Sequence, residues 1–140
     1  MKRFLPAVII LLLCALLAGC TSVPPANNPP EPRENIIMGT VDTLPAGSNV
    51  VFQVGQKDAI HNTIDVTFAG GEGQNQVQNI EVIYTGDDGA SQTQFLKAEK
   101  GATATFQGTG QTDQILVYVT MNNGNRYKVV NQTSPYRTRG

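Results

Sequence analysis

The sequence predicts an all-β domain, an antiparallel sandwich of seven to eight strands, and three observations predict it. Apolar and polar residues alternate at a period of two, which is typical of strands with one buried face. Turn-forming residues separate the alternating segments. No stretch sustains the 3.6-residue period of an amphipathic helix, so we expect no long helix. A small β-barrel is the alternative, because it would use the same strands.

Four segments show the alternation most clearly. In the last of them, Ile115, Val117 and Val119 lie on one face of the strand, and Leu116 and Tyr118 lie on the other. We expect Leu116 and Tyr118 to be core or partly buried; if solvent covers their face, they form an exposed apolar pair that indicates an interaction surface. The four segments are residues 64–68, 80–84, 102–106 and 115–119, and weaker alternation marks residues 36–41, 49–54, 93–97 and 126–130.

The turn residues agree with these strands. Residues 86–89 read Gly-Asp-Asp-Gly and residues 122–125 read Asn-Asn-Gly-Asn, each between two predicted strands. Asp-Gly and Asn-Gly tolerate the positive φ of tight hairpin turns. The segments leading into these turns match at an offset of 35 residues. Two similar hairpins, or an ancient duplication, would explain the match, and two copies do not indicate a solenoid or a propeller.

The number and spacing of the strands are similar to those of immunoglobulin-like sandwiches. The sequence has no tryptophan, and its two cysteines lie at positions 14 and 20, so the core tryptophan and the cysteine pair of that family are absent. The predicted β-domain spans residues 36–132. Before it, residues 21–35 contain five prolines, which favours an extended spacer rising about 3.1 Å per residue. After it, residues 133–140 are polar and predict a loose tail.

The N-terminus has the architecture of a signal peptide. Lys2 and Arg3 precede an apolar run over residues 4–17, and the sequence Leu-Ala-Gly-Cys follows at residues 17–20. A cysteine at this position resembles the lipobox of prokaryotic lipoproteins. The resemblance covers about the first 22 residues. It implies a signal peptide at residues 1–19, cleavage before Cys20, a diacylglycerol on the Cys20 thiol as the only attached group, and a location at the membrane surface outside the cytoplasm.

Two other interpretations of the N-terminus stay open. An uncleaved anchor would have to cross about 30 Å of hydrocarbon, which needs about 20 apolar residues, and the run up to Cys20 is short for that. Secretion after cleavage at a site without lipid is the other. Cys14 lies inside the apolar run and would leave with the signal peptide. The two acyl chains of a diacylglycerol would hold the protein stably on a membrane.

The charge balance argues against a nucleic-acid partner. The chain has 10 basic and 11 acidic residues, and removal of residues 1–19 takes away Lys2 and Arg3, which leaves a net charge of −3. Electrostatic binding to nucleic acid needs a basic face. The mature chain would keep Cys20 alone, so an intramolecular disulfide is excluded and the fold must depend on its core.

The sequence carries no convincing catalytic motif. His61 is the only histidine, and Asp58 and Asp65 are nearby carboxylates, so an envelope hydrolase using His61 is a rival hypothesis. A surface residue at the start of a strand is the simpler interpretation. Zinc needs three or four ligands, usually with more histidine or cysteine, so no metal site is predicted. No G-x-S-x-G motif is present.

Two segments have a weaker similarity to calcium sites. Residues 70–78 are close to the nonapeptide of calcium-binding β-rolls, but one copy lacks the second half of such a site, and a flexible glycine-rich loop explains it. Asp87, Asp88 and Asp113, with residues 122–125, could offer oxygen ligands to Ca²⁺, although turns use the same residues without an ion.

Two further features concern modification and binding. Asn131 begins the sequon Asn-Gln-Thr, which matters only if the host glycosylates exported proteins. The chain has four tyrosines that could include a binding stripe, for instance for a glycan. They are Tyr84, Tyr118, Tyr127 and Tyr136.

Taken together, these observations predict a lipid-anchored, non-enzymatic module of the cell envelope with a binding or structural role. The lipobox, proline-rich spacer and single β-domain are similar to small surface lipoproteins of bacteria and archaea. Partner capture through an edge strand or through the loops at Asp87–Asp88 and residues 122–125 would suit such a module. The rivals are an accessory subunit of a surface complex, which an exposed face at Leu116 and Tyr118 would favour, and the hydrolase at His61.

Overall fold

Seven strands form two antiparallel sheets that pack face to face. The structure is a computed structural model that describes residues 39–136. The first sheet has the order β1-β2-β5 and the second has the order β4-β3-β6-β7. The predicted immunoglobulin-like sandwich is confirmed, and the barrel alternative is wrong because the strands form two separate sheets. The strands are β1 (Val51–Val54), β2 (Thr63–Gly70), β3 (Val77–Thr85), β4 (Ser91–Leu96), β5 (Thr103–Gln107), β6 (Asp113–Met121) and β7 (Arg126–Ser134).

The core lies between the sheets and follows the period-two pattern of the sequence. Every second residue of β2 and β6 is buried, and so is every second residue of β3 from Ile80 onward, as the sequence predicts. Tyr84 stacks on Phe106 with ring centroids 5.7 Å apart, which joins β3 of one sheet to β5 of the other. Each fully buried Val, Ile or Phe contributes about 1.5–3 kcal/mol by leaving water. The buried apolar residues are Ile64, Val66, Phe68, Ile80, Val82, Tyr84, Ala104, Phe106, Ile115, Val117, Val119 and Met121.

The weaker strand predictions have mixed outcomes. Residues 49–54, 93–97 and 126–130 correspond to β1, β4 and β7. β7 extends to Ser134, so Thr133 and Ser134 belong to the sandwich and not to the predicted tail. The reason is that Ser134 pairs with Asp113 at the start of β6 and is buried there. Of predicted strand 36–41, residues 39–41 are not in a strand, and residues 36–38 lie outside the described residues.

The two hairpins predicted from the Asp-Gly and Asn-Gly turns share one geometry. The N–H of Gly89 donates to the carbonyl of Gly86, and the N–H of Gly124 donates to the carbonyl of Met121. Gly89 and Gly124 both have a φ of 81°, the left-handed conformation that glycine adopts without strain. The hairpins β3–β4 and β6–β7 therefore form by the same turn chemistry, and they lie side by side because β3 pairs with β6.

The glycine-rich loop between β2 and β3 is packed tightly against the segment that precedes β1. The Gly73 N–H donates to the Asn49 carbonyl at 2.9 Å, and Ser48 Oγ donates to Gln76 Oε1 at 2.8 Å. A Cβ on Gly73 would lie 2.3 Å from the Ser48 carbonyl oxygen. The loop joins two strands as expected, but glycine is needed here because two backbones approach closely. Gln74–Gln76 form a single 3-10 turn within it.

The predicted signal peptide, Cys20, and the spacer at residues 20–35 lie outside the described residues, as do residues 137–140. Within residues 39–136, no helix has both the length and the apolar character needed to cross a membrane.

We predict that Gly73→Ala destabilises the domain, because the new methyl group would collide with the Ser48 backbone. Overpacking of this kind costs about 1–3 kcal/mol of unfolding free energy. Urea denaturation of the two proteins measures the difference. Gly110→Ala is the matched control, because a Cβ on Gly110 has nothing within 4 Å. Equal loss of stability in both variants would contradict the close packing of this loop.

Candidate binding surface

The four-stranded sheet turns one face away from the core, and apolar side chains meet there. In an antiparallel pair, residues that oppose each other lie on the same face. Ile83 opposes Leu116, and Glu81 opposes both Tyr118 on β6 and Phe95 on β4. The outward side chains of β4, β3 and β6 therefore form one patch. We call it the outer face, which comprises Glu81, Ile83, Phe95, Leu116, Tyr118 and Arg126.

The outer face exposes more apolar surface at its β4 edge than at its centre. Phe95 is 66% exposed, whereas Ile83, Leu116 and Tyr118 are half-buried by their neighbours. The partial burial predicted for Leu116 and Tyr118 is confirmed. Contiguous apolar side chains at a solvated surface mark interaction sites more often than isolated ones do. The outer face is therefore the strongest candidate for binding among the described residues.

Arg126 fixes the position of the Tyr118 ring. The guanidinium carbon lies 3.5 Å from the ring centroid, and Arg126 Nη2 lies 2.6 Å from Glu81 Oε2. The cation–π contact is worth about 0.5–1 kcal/mol at an exposed site. The exposed ion pair adds about 0.2–1 kcal/mol. Both contacts hold the Tyr118 ring in one conformation. The ion pair also neutralises the charges of Arg126 and Glu81 before any partner binds.

A buried ion pair lies at the end of the sandwich that carries the β1–β2 loop. Lys57 Nζ lies 2.6 Å from Asp113 Oδ2, and the two side chains are 1% and 0% exposed. Lys57 Nζ also donates to the carbonyl oxygens of Thr109 at 3.1 Å and Gln111 at 2.5 Å. Three acceptors match the three protons of an ammonium group. The buried charge is therefore fully paired and hydrogen-bonded.

The Asp113 carboxylate is satisfied in the same way. Thr109 donates from its N–H at 2.9 Å and from its hydroxyl at 2.5 Å, and the Asp87 N–H lies 3.4 Å away. Burial raises the pKa of Asp113, but the hydrogen bonds from Lys57 and Thr109 outweigh it and hold the pKa below its usual 3.8. Asp113 therefore stays ionised and serves as the counter-ion of Lys57.

Tyr84 lies beside this carboxylate and stays neutral over a wide pH range. Burial, followed by the negative charge of Asp113, raises the pKa of Tyr84 to about 12 from its usual 10.0. The phenol remains a hydrogen-bond donor at the carboxylate. Within residues 39–136, every buried side-chain nitrogen and oxygen has a hydrogen-bond partner.

His61 lies in the exposed β1–β2 loop. Its side chain is 72% exposed, and its Nδ1 lies 3.1 Å from Asp58 Oδ1. The same Asp58 oxygen accepts the backbone N–H groups of Ile60 and His61, and these bonds lower the pKa of the Asp58 carboxyl. Asp65 is not part of this group, because its carboxylate accepts the Thr105 hydroxyl on the neighbouring strand. Asp58 thus shapes the loop in which His61 lies.

The two hairpin turns, at residues 86–89 and 122–125, use their Asp and Asn side chains to accept hydrogen bonds from the backbone. Asp88 Oδ1 accepts the Ala90 N–H at 2.9 Å, and Asn123 Oδ1 accepts the Asn125 N–H at 3.0 Å. Asp113, which the sequence grouped with these residues, is instead the partner of Lys57. Three or more His, Cys, Asp or Glu side chains do not converge anywhere in the described part of the chain.

Asn131 and the tyrosines are placed by their strands. The Asn131 amide donates to the Gly39 carbonyl and accepts from Gln114, so a glycan on its nitrogen would have to replace a hydrogen bond within the fold.

The four tyrosines do not form one stripe. Tyr84 is buried in the core, Tyr118 lies on the outer face, Tyr127 packs against the core, and Tyr136 is exposed after β7.

Comparison with solved structures shows a likeness of fold alone. The sandwich is similar to the solution structure of the fn3 domain of the human collagen alpha-1(XX) chain. The two are 13% identical with a TM-score of 0.48, over 73% of this chain and 92% of that chain. No protein-family model matches the sequence. No curated protein matches it either.

We predict that Lys57→Met lowers the unfolding free energy by about 3–5 kcal/mol, because it leaves the Asp113 carboxylate buried without its counter-ion. Urea denaturation measures the loss. Lys97→Met is the control: Lys97 is exposed, and a surface change of this kind stays within about 0.5 kcal/mol. A loss for Lys57→Met no larger than that for Lys97→Met would show that the pair does not stabilise the fold.

We predict that Tyr84 ionises above the usual tyrosine pKa of 10.0 during alkaline titration. Because its folded pKa of about 12 exceeds the usual 10.0, its stabilising effect is complete below pH 10 and is lost as the pH rises through 12. Tyr84→Phe should remove the late component of the tyrosinate absorbance and reduce the alkaline loss of stability. Tyr136→Phe, which changes an exposed ring, should keep the late component. Its disappearance in Tyr136→Phe would refute the assignment.

Proposed function

We propose that the chain is a membrane-anchored, non-enzymatic module of the cell envelope that docks a protein partner through the outer face. The anchor is a diacylglycerol on Cys20, and the β-sandwich presents the docking surface. The observation that carries the proposal is the exposed Phe95, which lies on the same face of the sheet as Ile83, Leu116 and Tyr118.

The chemistry of the outer face favours a protein partner. Tyrosine, phenylalanine and arginine are enriched in the cores of protein interfaces, where charged groups are few. The charges of Glu81 and Arg126 are paired with each other, so a partner need not supply a counter-ion for either. Arg126 covers one side of the Tyr118 ring, which leaves that side closed to the sugar stacking that a glycan would need. A flat apolar protein surface suits this face better.

The anchor is supported by the sequence. The apolar run before Cys20 and the small residues Ala18 and Gly19 fit signal cleavage and lipidation. Two acyl chains would hold the module at the membrane stably, which raises the local concentration of any membrane-bound partner. If the partner stays bound to the outer face permanently, the chain is an accessory subunit of a surface complex. The outer face supports permanent and transient docking equally.

The exposed position of His61 favours binding over hydrolysis. General acid–base catalysis requires a group held within hydrogen-bond reach of a substrate in a shaped site. The His61 ring contacts a carboxylate of its own loop and is otherwise largely open to water. The hydrolase therefore remains a rival with less support than docking at the outer face.

Chemical cross-linking on intact membranes tests the proposal. We expect wild-type chain to lose residues 1–19, gain a diacylglycerol and cross-link to a partner, while Cys20→Ala stays unmodified and leaves the membrane. Phe95→Gln should weaken the partner cross-link about tenfold, the loss of one apolar anchor. Ile60→Gln is the matched control, because Ile60 is 61% exposed but lies in the β1–β2 loop.

The two halves of the proposal fail separately. An unmodified wild-type chain in the soluble fraction refutes the anchor. Cross-linking that is unchanged in Phe95→Gln, or equally weakened in Ile60→Gln, refutes docking through the outer face.

A further inference from the structure

β4 ends the four-stranded sheet, and one side of it has no partner strand among residues 39–136. Its other side pairs with β3 over six residues without a shift in register. In an antiparallel pair, the backbone groups of alternate residues point to the partner strand, and those between them point away. The Gly86 N–H donates to the Ala90 carbonyl, so Ala90 and every second residue after it face β3. The N–H and C=O groups of Ser91, Thr93 and Phe95 therefore point to the free side.

The other three edge strands each have a feature that hinders the addition of a further strand. Proteins protect such edges with charge, proline, bulges, short strands or a covering loop. The backbone and side chain of Asp42 bond to the Lys128 backbone of β7, and β1 has only four residues and a shift in register at its start. On β5, the Thr105 carbonyl accepts from Gln94 Nε2 at 2.7 Å. β4 is regular in register and has no charge or proline, so its edge is open to a strand.

The charges at the two ends of β4 are opposite in sign. The turn before it carries Asp87 and Asp88, and residues 97–100 carry two lysines and one glutamate, a net charge of +1. Asp87, Asp88 and Lys97 are exposed, and none of the three forms an ion pair within residues 39–136. When two copies of β4 pair antiparallel about a two-fold axis, the start of each strand lies beside the end of the other. Each acidic turn then meets the basic end of the other copy, so this edge is complementary in charge to itself.

The outward side chains of β4 agree with such a pairing. Thr93 and Phe95 lie on the outer face, because they oppose Ile83 and Glu81 of β3. Two-fold pairing about the middle of β4 brings Thr93 and Phe95 of one copy opposite or next to those of the other. Aromatic and β-branched side chains stabilise a sheet where they meet on one face of neighbouring strands. The strongly exposed Phe95 would lose much of its exposure in this way.

We propose that β4 pairs antiparallel with β4 of a second copy of this chain, so that the two four-stranded sheets become one continuous sheet. The occupant is a second copy because the opposite charges at the ends of β4 are matched by the same strand running in the opposite direction. The contact is one strand from each copy, so we expect a dimer that dissociates on dilution. The pairing needs no lipid and no other protein, so its test is separate from those of the anchor and of docking at the outer face.

Disulfide trapping between two tagged copies of the full-length chain tests the proposal. Cys14 and Cys20 are first replaced by alanine, and the copies then receive Thr93→Cys in both, Phe95→Cys in both, or one substitution each. The three combinations correspond to the three registers centred nearest the middle of β4, and a disulfide needs Cα atoms within about 7 Å. One combination should close about tenfold faster than the control, Gln53→Cys in both copies, which changes an exposed residue of the β1 edge. Rates no faster than the control in all three combinations would overturn the proposal.

Hydrogen exchange gives a second readout that does not need cysteines. When the concentration of the full-length chain rises about a hundredfold, exchange of the Thr93 and Phe95 amides should slow about tenfold, because their N–H groups bond to the other copy. The Gln94 N–H faces β3 and should exchange slowly at both concentrations. Thr93→Lys places like charges near the two-fold axis and should abolish the slowing at Phe95. Gln53→Lys adds the same charge to the β1 edge and should preserve it. Association without slowing at these two amides, or slowing that persists in Thr93→Lys, would contradict pairing through β4.

Discussion

The ion pair between Lys57 and Asp113 joins three connections at one end of the sandwich. Lys57 belongs to the β1–β2 loop, Thr109 to the β5–β6 loop and Asp87 to the β3–β4 turn, and all three contact Asp113 or its partner. A buried charge without its partner is far more costly than a paired one, so these loops cannot shift independently. Asp113 also begins β6, which lies between β3 and β7. The pair thus fixes the position of the first residue of β6, a central strand of the second sheet.

The register of β6 decides which residues face the core and which face outward. Ile115, Val117 and Val119 are buried, so Leu116 and Tyr118 must lie on the opposite side of the strand. A slip of one residue would exchange the two sets and would expose three buried side chains to water. The outer face is therefore a direct consequence of the packing of the core. Arg126 on β7 then sets the detail of that face, because it lies over the Tyr118 ring and pairs with Glu81 on β3.

The sequence predicted the fold better than it predicted the site. Alternation and turn chemistry are local, so they located the central strands and both hairpins. Leu116 and Tyr118 followed from the same alternation. Phe95 was missed as a binding residue because β4 has a short and weak pattern, and its exposure depends on its place at the sheet edge. The pairing of Lys57 with Asp113 spans 56 positions and has no local signal, so Asp113 resembled an ordinary turn residue.

The hydrogen bonds between Asp42 and Lys128 give the domain a mechanical property. The chain passes Gly39 and runs along β7, so a load applied before Gly39 and directed along that strand pulls parallel to its axis. Three hydrogen bonds join residues 39–42 to β7, one between backbone groups and two through the side chains of Asp42 and Asn131. Such a load shears several bonds at once instead of opening them one after another. The attachment of the sandwich to whatever precedes it is consequently stronger in this direction than a peeling geometry would allow.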